Sequence, residues 1–166
     1  GMMKEARKIV NNLLDLEAPI IAAVNGHCVG LGATIALLCD VIIASDKAKF
    51  GDPHVKMGIV AGDGGAVIWP LLVGVAKAKE MLMLGVIIDA QEAERLGLVN
   101  KVVPETELLA TAIDLAKRLA EGPIYAIQWT KMAINKLIRE RVNLILDASL
   151  GWEEYAFLSE DYREAV

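Results

Sequence analysis

Residues 19–45, PIIAAVNGHCVGLGATIALLCDVIIAS, hold two short apolar runs, 20–24 and 41–45, in which no polar residue alternates with the apolar ones. A strand with one wet face alternates apolar and polar side chains. A run that is apolar throughout must be covered on both faces, which is the habit of parallel sheets with helices packed against them. Gly26, Gly30 and Gly32 lie between the runs, with Asn25, His27 and Thr34 almost the only polar side chains there. The spacing predicts a buried strand, a turn over 26–30, a short buried helix through LGATIALLCD and a second buried strand.

The rest of the chain extends this pattern. Ala6, Ile9, Val10, Leu13 and Leu14 recur at helical spacing over 3–16, and Pro19 stops that helix. Residues 48–51 add a shorter strand, and 52–65, DPHVKMGIVAGDGG, form a loop rich in Gly and Pro. A helical tract follows to residue 85, expected to break near Pro70 and Gly74. Residues 90–97 give one or two helical turns ending at Gly97, and LVNKVV reads as a strand.

Beyond Pro104 three helices are expected. One carries the stripe Leu108, Leu109, Ala112, Ile113, Ala116, Leu119 and Ala120; the second, after Gly122-Pro123, carries Ile127, Ile134, Leu137 and Ile138. The third carries Ile145, Ala148, Trp152, Tyr155 and Ala156. The class is α/β: a strand-bearing core over 1–103 and a helical region over 104–166, within one structural unit.

Composition limits the partners. Of 166 residues, 55% are hydrophobic and the mean hydropathy is +0.43, so part of the apolar surface is expected to face partner subunits. The longest apolar stretch, 20–38, is interrupted by Asn25, His27 and glycines and does not read as a membrane span. The net charge of −5 without a basic stripe argues against nucleic acid. The opening GMMKEARKIV has no signal-peptide pattern, and Cys28 and Cys39 match no zinc or redox spacing. The expectation is a cytoplasmic protein with reduced thiols and no metal.

Two places could carry chemistry. The first backbone N–H groups of a helix lack intrahelical partners and sit at the positive end of the dipole. Gly30 and Gly32 flank Leu31, so its N–H is either open to a ligand as an oxyanion donor or merely part of a tight strand–helix turn. His54, after Asp52-Pro53, could be returned to Asp63 by the loop AGDGG, and a carboxylate that orients an imidazole makes it a better general base. His27 reads as a core or turn histidine, and Thr34 as a helix residue bonded back to the preceding turn.

The ordered set PIIAAVNGHCVGLGATIALLCDVIIASDKAKFGDP, GIVAGDGG, GVAKAKEMLMLG and AQEAERLGLVNKVVP resembles the enoyl-CoA hydratase/isomerase (crotonase) superfamily. The resemblance implies a spiral of ββα units, incomplete here, with 104–166 as a helical trimerisation region, so a homotrimer or hexamer. It implies a coenzyme A thioester as substrate, no covalently bound cofactor, and an oxyanion hole of two backbone N–H groups, one of them from Leu31 between Gly30 and Gly32, with Thr34 of the same stretch expected on the substrate side. It also implies that the chain is roughly the second two-thirds of a member, with the other donor lying upstream.

Thr34 and His54 fall where the family's hydratases carry their two glutamates, so hydration by paired glutamates is not expected. Asp63 resembles the functional aspartate of the dihydroxynaphthoyl-CoA synthases, and the His54–Asp63 spacing is similar to that of the 6-oxocamphor hydrolase branch, which cleaves carbon–carbon bonds in β-diketones. Three readings follow: an acyl-CoA enzyme using His54 and Asp63 as its acid–base pair, a His/Asp-dependent C–C or thioester hydrolase, or an inactive fragment retaining fold and assembly surfaces.

Overall fold

A computed structural model describes the whole chain apart from the side chain of Met2. Helix α1 (Met2–Asp15) is followed by β1 (Ile21–Val24), β2 (His27–Val29), α2 (Leu31–Leu37), β3 (Val41–Ser45) and β4 (Lys49–Gly51). A 3-10 turn at His54–Met57 leads to α3 (Gly65–Val73), α4 (Val75–Leu84), β5 (Ile87–Asp89), α5 (Ala90–Arg95) and β6 (Lys101–Val103). Three helices close the chain: α6 (Leu108–Ala120), α7 (Ile124–Ala156) and α8 (Glu160–Ala165).

The strands form two three-stranded sheets, ordered β1-β3-β6 and β2-β4-β5. Each strand–strand–helix passage lays one strand in each sheet, so β1 pairs with β3 and β2 with β4, both in parallel. Both apolar runs are parallel strands, but only the second is buried as expected: Ile42, Ile43, Ala44 and Ser45 of β3 are all buried, whereas β1, at the edge of its sheet, is only partly covered and exposes Ala23.

Several expectations are corrected. Residues 27–29 are a strand, because Lys49 N–H donates to Gly26 O (3.1 Å) and Gly30 N–H to Gly51 O (3.1 Å), extending a ladder that only the distant partner supplies. β5 has the same origin, being the antiparallel partner of β4. His27 lies exposed on β2 rather than in the core. Pro70 sits inside α3 without ending it: Val67, Ile68 and Trp69 are buried there, and their burial outweighs the roughly 3 kcal/mol that an interior proline costs in a lost backbone bond and a ring clash. Gly74 does divide α3 from α4.

Residues 124–156 are one helix, about 50 Å long at 1.5 Å per residue. Its buried stripe runs through Lys131, Asn135, Val142, Leu146, Ser149, Leu150 and Glu153, so the charged stretch near 140 interrupts the apolar pattern without interrupting the helix. The expected stripes were also misplaced around the helices. Trp152 (65%) and Tyr155 (76%) point outward, as do Leu109 (66%) and Ile113 (46%) of α6. Only Leu108 and Ala112 of the α6 stripe are fully buried.

The polar residues of the α7 stripe join helices to carbonyls. Asn135 Nδ2 donates to Leu14 O (3.1 Å), and Arg139 holds Asn11 and Asp15, tying α7 along α1. Lys131 Nζ, buried, donates to Ala18 O (2.8 Å) and pairs with Asp40 Oδ2 (2.7 Å), which also accepts from Ile20 N–H (2.6 Å). Asp40→Ala would leave the Lys131 ammonium buried without its counter-charge. It should lower unfolding free energy by about 3 kcal/mol, read as a lower urea midpoint at unchanged slope, with Lys131→Met milder.

Candidate active site

The loop 52–65 places His54 against the start of α2 and the end of α7. Gly30 has φ +55°, and a Cβ there would lie 3.3 Å from His54 Cε1, so the glycine lets the helix start sit against the imidazole. Leu31, first residue of α2, lines the same cavity as His54, and its N–H has no partner within the helix. Gly32 is exposed and a Cβ there would meet nothing within 4 Å, so packing within this chain does not require it to be bare.

Four ionisable groups converge. His54 Nδ1 donates to Asp52 Oδ1, while Nε2 lies 3.5 Å from Asp63 Oδ2 and 3.9 Å from Glu153 Oε1. Asp52, Asp63 and Glu153 are 1%, 6% and 4% exposed. The expected pair, His54 and Asp63, is therefore brought together, but Asp52 takes the orienting position on Nδ1 and Asp63 faces the other nitrogen. Thr34 does not bond back to its own helix: its hydroxyl donates to Asp63 Oδ1 (3.2 Å) because the loop brings that carboxylate within reach.

Three loop glycines make room for the cluster. A Cβ on Gly62 would lie 2.6 Å from Glu153 Oε2 and 2.5 Å from Ser149 O; on Gly64, 2.5 Å from Thr34 Cγ2; on Gly65, 2.3 Å from Asp52 Oδ2.

Sequence reasoning missed Asp52 and Glu153 as members of the site. Asp52 meets the ring only through the turn at Pro53, which no spacing in the sequence announces. Glu153 stands on the α7 stripe three residues after Leu150, and an acid at a core position was the available clue once the helix was correctly phased.

Burial would lower the His54 pKa, but the hydrogen bond to Asp52 and the negative charges of Asp52, Asp63 and Glu153 outweigh it and raise the value from 6.5 to about 9. Burial, then the charge of Asp63, pushes Glu153 from 4.5 to about 7 against the pull of His54. Asp63 is also raised, by burial first, with His54 and the Thr34 hydroxyl opposing. At neutral pH His54 is thus a held imidazolium, and Glu153 is close to half-protonated.

The cavity beside the cluster measures about 270 Å³, its walls otherwise mostly apolar: Met3, Ala6, Ile9, Leu31, Ile59 and Phe157. Glu153 Oε2 and Asp52 Oδ2 are buried without a hydrogen-bond partner among the described residues. Asp52, His54 and Asp63 also present three potential metal-ligand atoms within 4.8 Å of one another, though the imidazole N–H to Asp52 already satisfies one of them. A larger groove of about 480 Å³ between β1 and α6 has no titratable side chain in its walls. Cys28 and Cys39 are free, and burial raises Cys28 to about 11, far from reactive. No helix among the described residues is long and apolar enough to cross a membrane.

Stacked strand–strand–helix repeats, with a helix start opening beside a buried acid–base cluster, define an α/β protein of the crotonase-like class. The family model for enoyl-CoA hydratase/isomerase matches residues 2–166, and the chain belongs to that family. It is 40% identical over 163 residues to a short-chain-enoyl-CoA hydratase of Clostridium acetobutylicum, covering 96% of this chain and 61% of the relative. Its fold superposes on an enoyl-CoA hydratase/isomerase from Mycobacterium paratuberculosis with TM-score 0.94 and 38% identity, covering 98% of this chain and 65% of that one.

A β-diketone hydrolase from the cyanobacterium Anabaena, solved with (S)-3-oxocyclohexyl acetic acid bound, gives TM-score 0.89 at 32% identity, covering 99% of this chain and 64% of that one. The chain spans about three fifths of the length of these relatives.

Two predictions follow from the site. Gly30→Ala forces a side chain into a conformation that suits glycine and against His54, costing about 1–3 kcal/mol, whereas Gly32→Ala in an open helical position should be neutral or stabilising by up to about 1 kcal/mol; urea unfolding separates them.

The folded state also binds more protons than the unfolded one, since His54 and Glu153 are both raised. Stability should therefore fall as pH rises from about 4.5 to 9. Glu153→Gln should flatten the part from 4.5 to 7 and His54→Asn the part from 6.5 to 9, measured by unfolding at each pH.

Proposed function

We propose that this site carries the acid–base half of an enolate-forming hydrolase that cleaves the carbon–carbon bond between two carbonyl groups. The single observation behind this is the His54 imidazolium fixed by Asp52 from behind, with Asp63 and Glu153 on its Nε2 side, where His54, Asp63 and Glu153 open on a small, mostly apolar cavity shared with Leu31. Near neutral pH the ionised fraction of Glu153 takes a proton from water, whose oxygen adds to one carbonyl carbon of a β-diketone. The negative charge that develops on that carbonyl oxygen is met by Leu31 N–H at the positive end of α2.

The tetrahedral species collapses to a carboxylic acid as the C–C bond breaks, leaving its electron pair as the enolate of the second carbonyl. A proton from the cluster, held on His54 or returned by Glu153, then goes to the enolate carbon and completes the ketone. One water is consumed and no redox partner is needed. Thr34 supplies no proton of useful acidity, which weighs against hydration by two glutamates. The likeness to the Anabaena β-diketone hydrolase supports the same substrate class.

A second reading keeps the same oxyanion donor and acid–base set for a short acyl-CoA thioester, favoured by the 40% identity to a short-chain-enoyl-CoA hydratase. The homotrimer or hexamer implied by the family belongs with either reading, supported by exposed Tyr125, Trp129, Trp152 and Tyr155 along α7.

The test offers a cyclic β-diketone and crotonyl-CoA separately, in water enriched in heavy oxygen. The expected result is a keto acid with one label in its new carboxylate, and a kcat/KM lowered by about 100-fold or more in Glu153→Gln and His54→Gln. Hydration of crotonyl-CoA with the diketone untouched would establish the second reading, and turnover of neither would leave the chain a retained scaffold.

A further inference from the structure

Thr34 is fully buried on α2, yet it is the one polar side chain of that helix and is not part of the cavity wall. Its methyl is wedged against the loop: a Cβ on Gly64, which has φ +125°, would lie 2.5 Å from Thr34 Cγ2 and 3.3 Å from Val10 Cγ2 of α1. With the methyl so confined, the hydroxyl is aimed at Asp63 Oδ1 at 3.2 Å. The other oxygen, Asp63 Oδ2, faces His54 Nε2 at 3.5 Å.

We infer that Thr34 is a positioning residue: its hydroxyl fixes one carboxylate oxygen of Asp63 so that the other is presented to the imidazole. A free carboxylate at that spot could rotate about its terminal torsion, which is broad and roughly two-fold. The donor removes that freedom and satisfies one buried lone pair, leaving the second for the ring. The groups facing Asp63 are His54 and Asp52 from the loop, Glu153 from α7, Thr34 from α2 and the backbone of Gly65. Among these side chains only Thr34 does not titrate, so its contribution can be removed without deleting an ionisable group. The catalytic meaning of this role rests on the proposed function, but its measurement does not.

The test is a carbon-detected titration of the Asp63 side-chain carboxyl, assigned with Asp63→Asn, in the full chain. In Thr34→Val the Asp63 midpoint should rise by about one pH unit, the size expected for losing one hydrogen bond to an ionised carboxylate, and Thr34→Ser should hold it within a few tenths of wild type. A merely structural threonine would leave the midpoint unmoved in Thr34→Val, or moved equally in Thr34→Ser, and either result overturns the inference. Should Thr34→Val not fold, Thr34→Ala is read in its place by the same criterion. A chain that shows the shift but turns over neither substrate would keep the role of Thr34 while removing the proposed function.

Discussion

Three carboxylates buried around one imidazole cannot all be ionised at low cost, because each charge loses its hydration and repels its neighbours. The site meets this by sharing protons. His54 keeps one it would lose in water, Glu153 keeps one up to about neutrality, and the Asp52 hydrogen bond fixes the ring between its partners. The loop glycines and the placing of α7 over the loop let these groups stand close enough for that exchange.

Helix α7 does the structural part of this. Through Asn135, Arg139 and Lys131 it is joined to α1 and to the start of β1, and Ser149 Oγ donates to Gly62 O (2.8 Å) one turn before Glu153. One side of the helix therefore reads as a column of anchors ending in a buried acid. The helix that delivers Glu153 is fixed at several points along its length, so the acid is placed by a rigid element rather than a loop. Its opposite side carries aromatic residues that nothing in the chain covers.

The approach of His54 to Asp63 was offered by the turn-forming AGDGG, and the place of Leu31 beside them by the family resemblance. The sequence makes α1, α2 and β3 legible, the helices by their apolar spacing and the strand because burial on both faces removes the alternation that other strands show. β2 and β5 were not, since three-residue strands owe their form to β4 and carry no period of their own. The phase of α7 was misread because Trp152 and Tyr155 are large and apolar yet face outward, which turned the expected stripe away from Glu153. Asp52 and the partner of Thr34 depended on where a loop returns, and no spacing rule encodes that.

Gly62 gives the arrangement an evolutionary consequence. A methyl at that position would collide with a backbone carbonyl of α7 as well as with the Glu153 carboxylate, so α7 can lie over the loop only while the loop residue stays bare. The demand comes first from the backbone, and it holds whatever side chain position 153, ninety-one residues on, comes to carry.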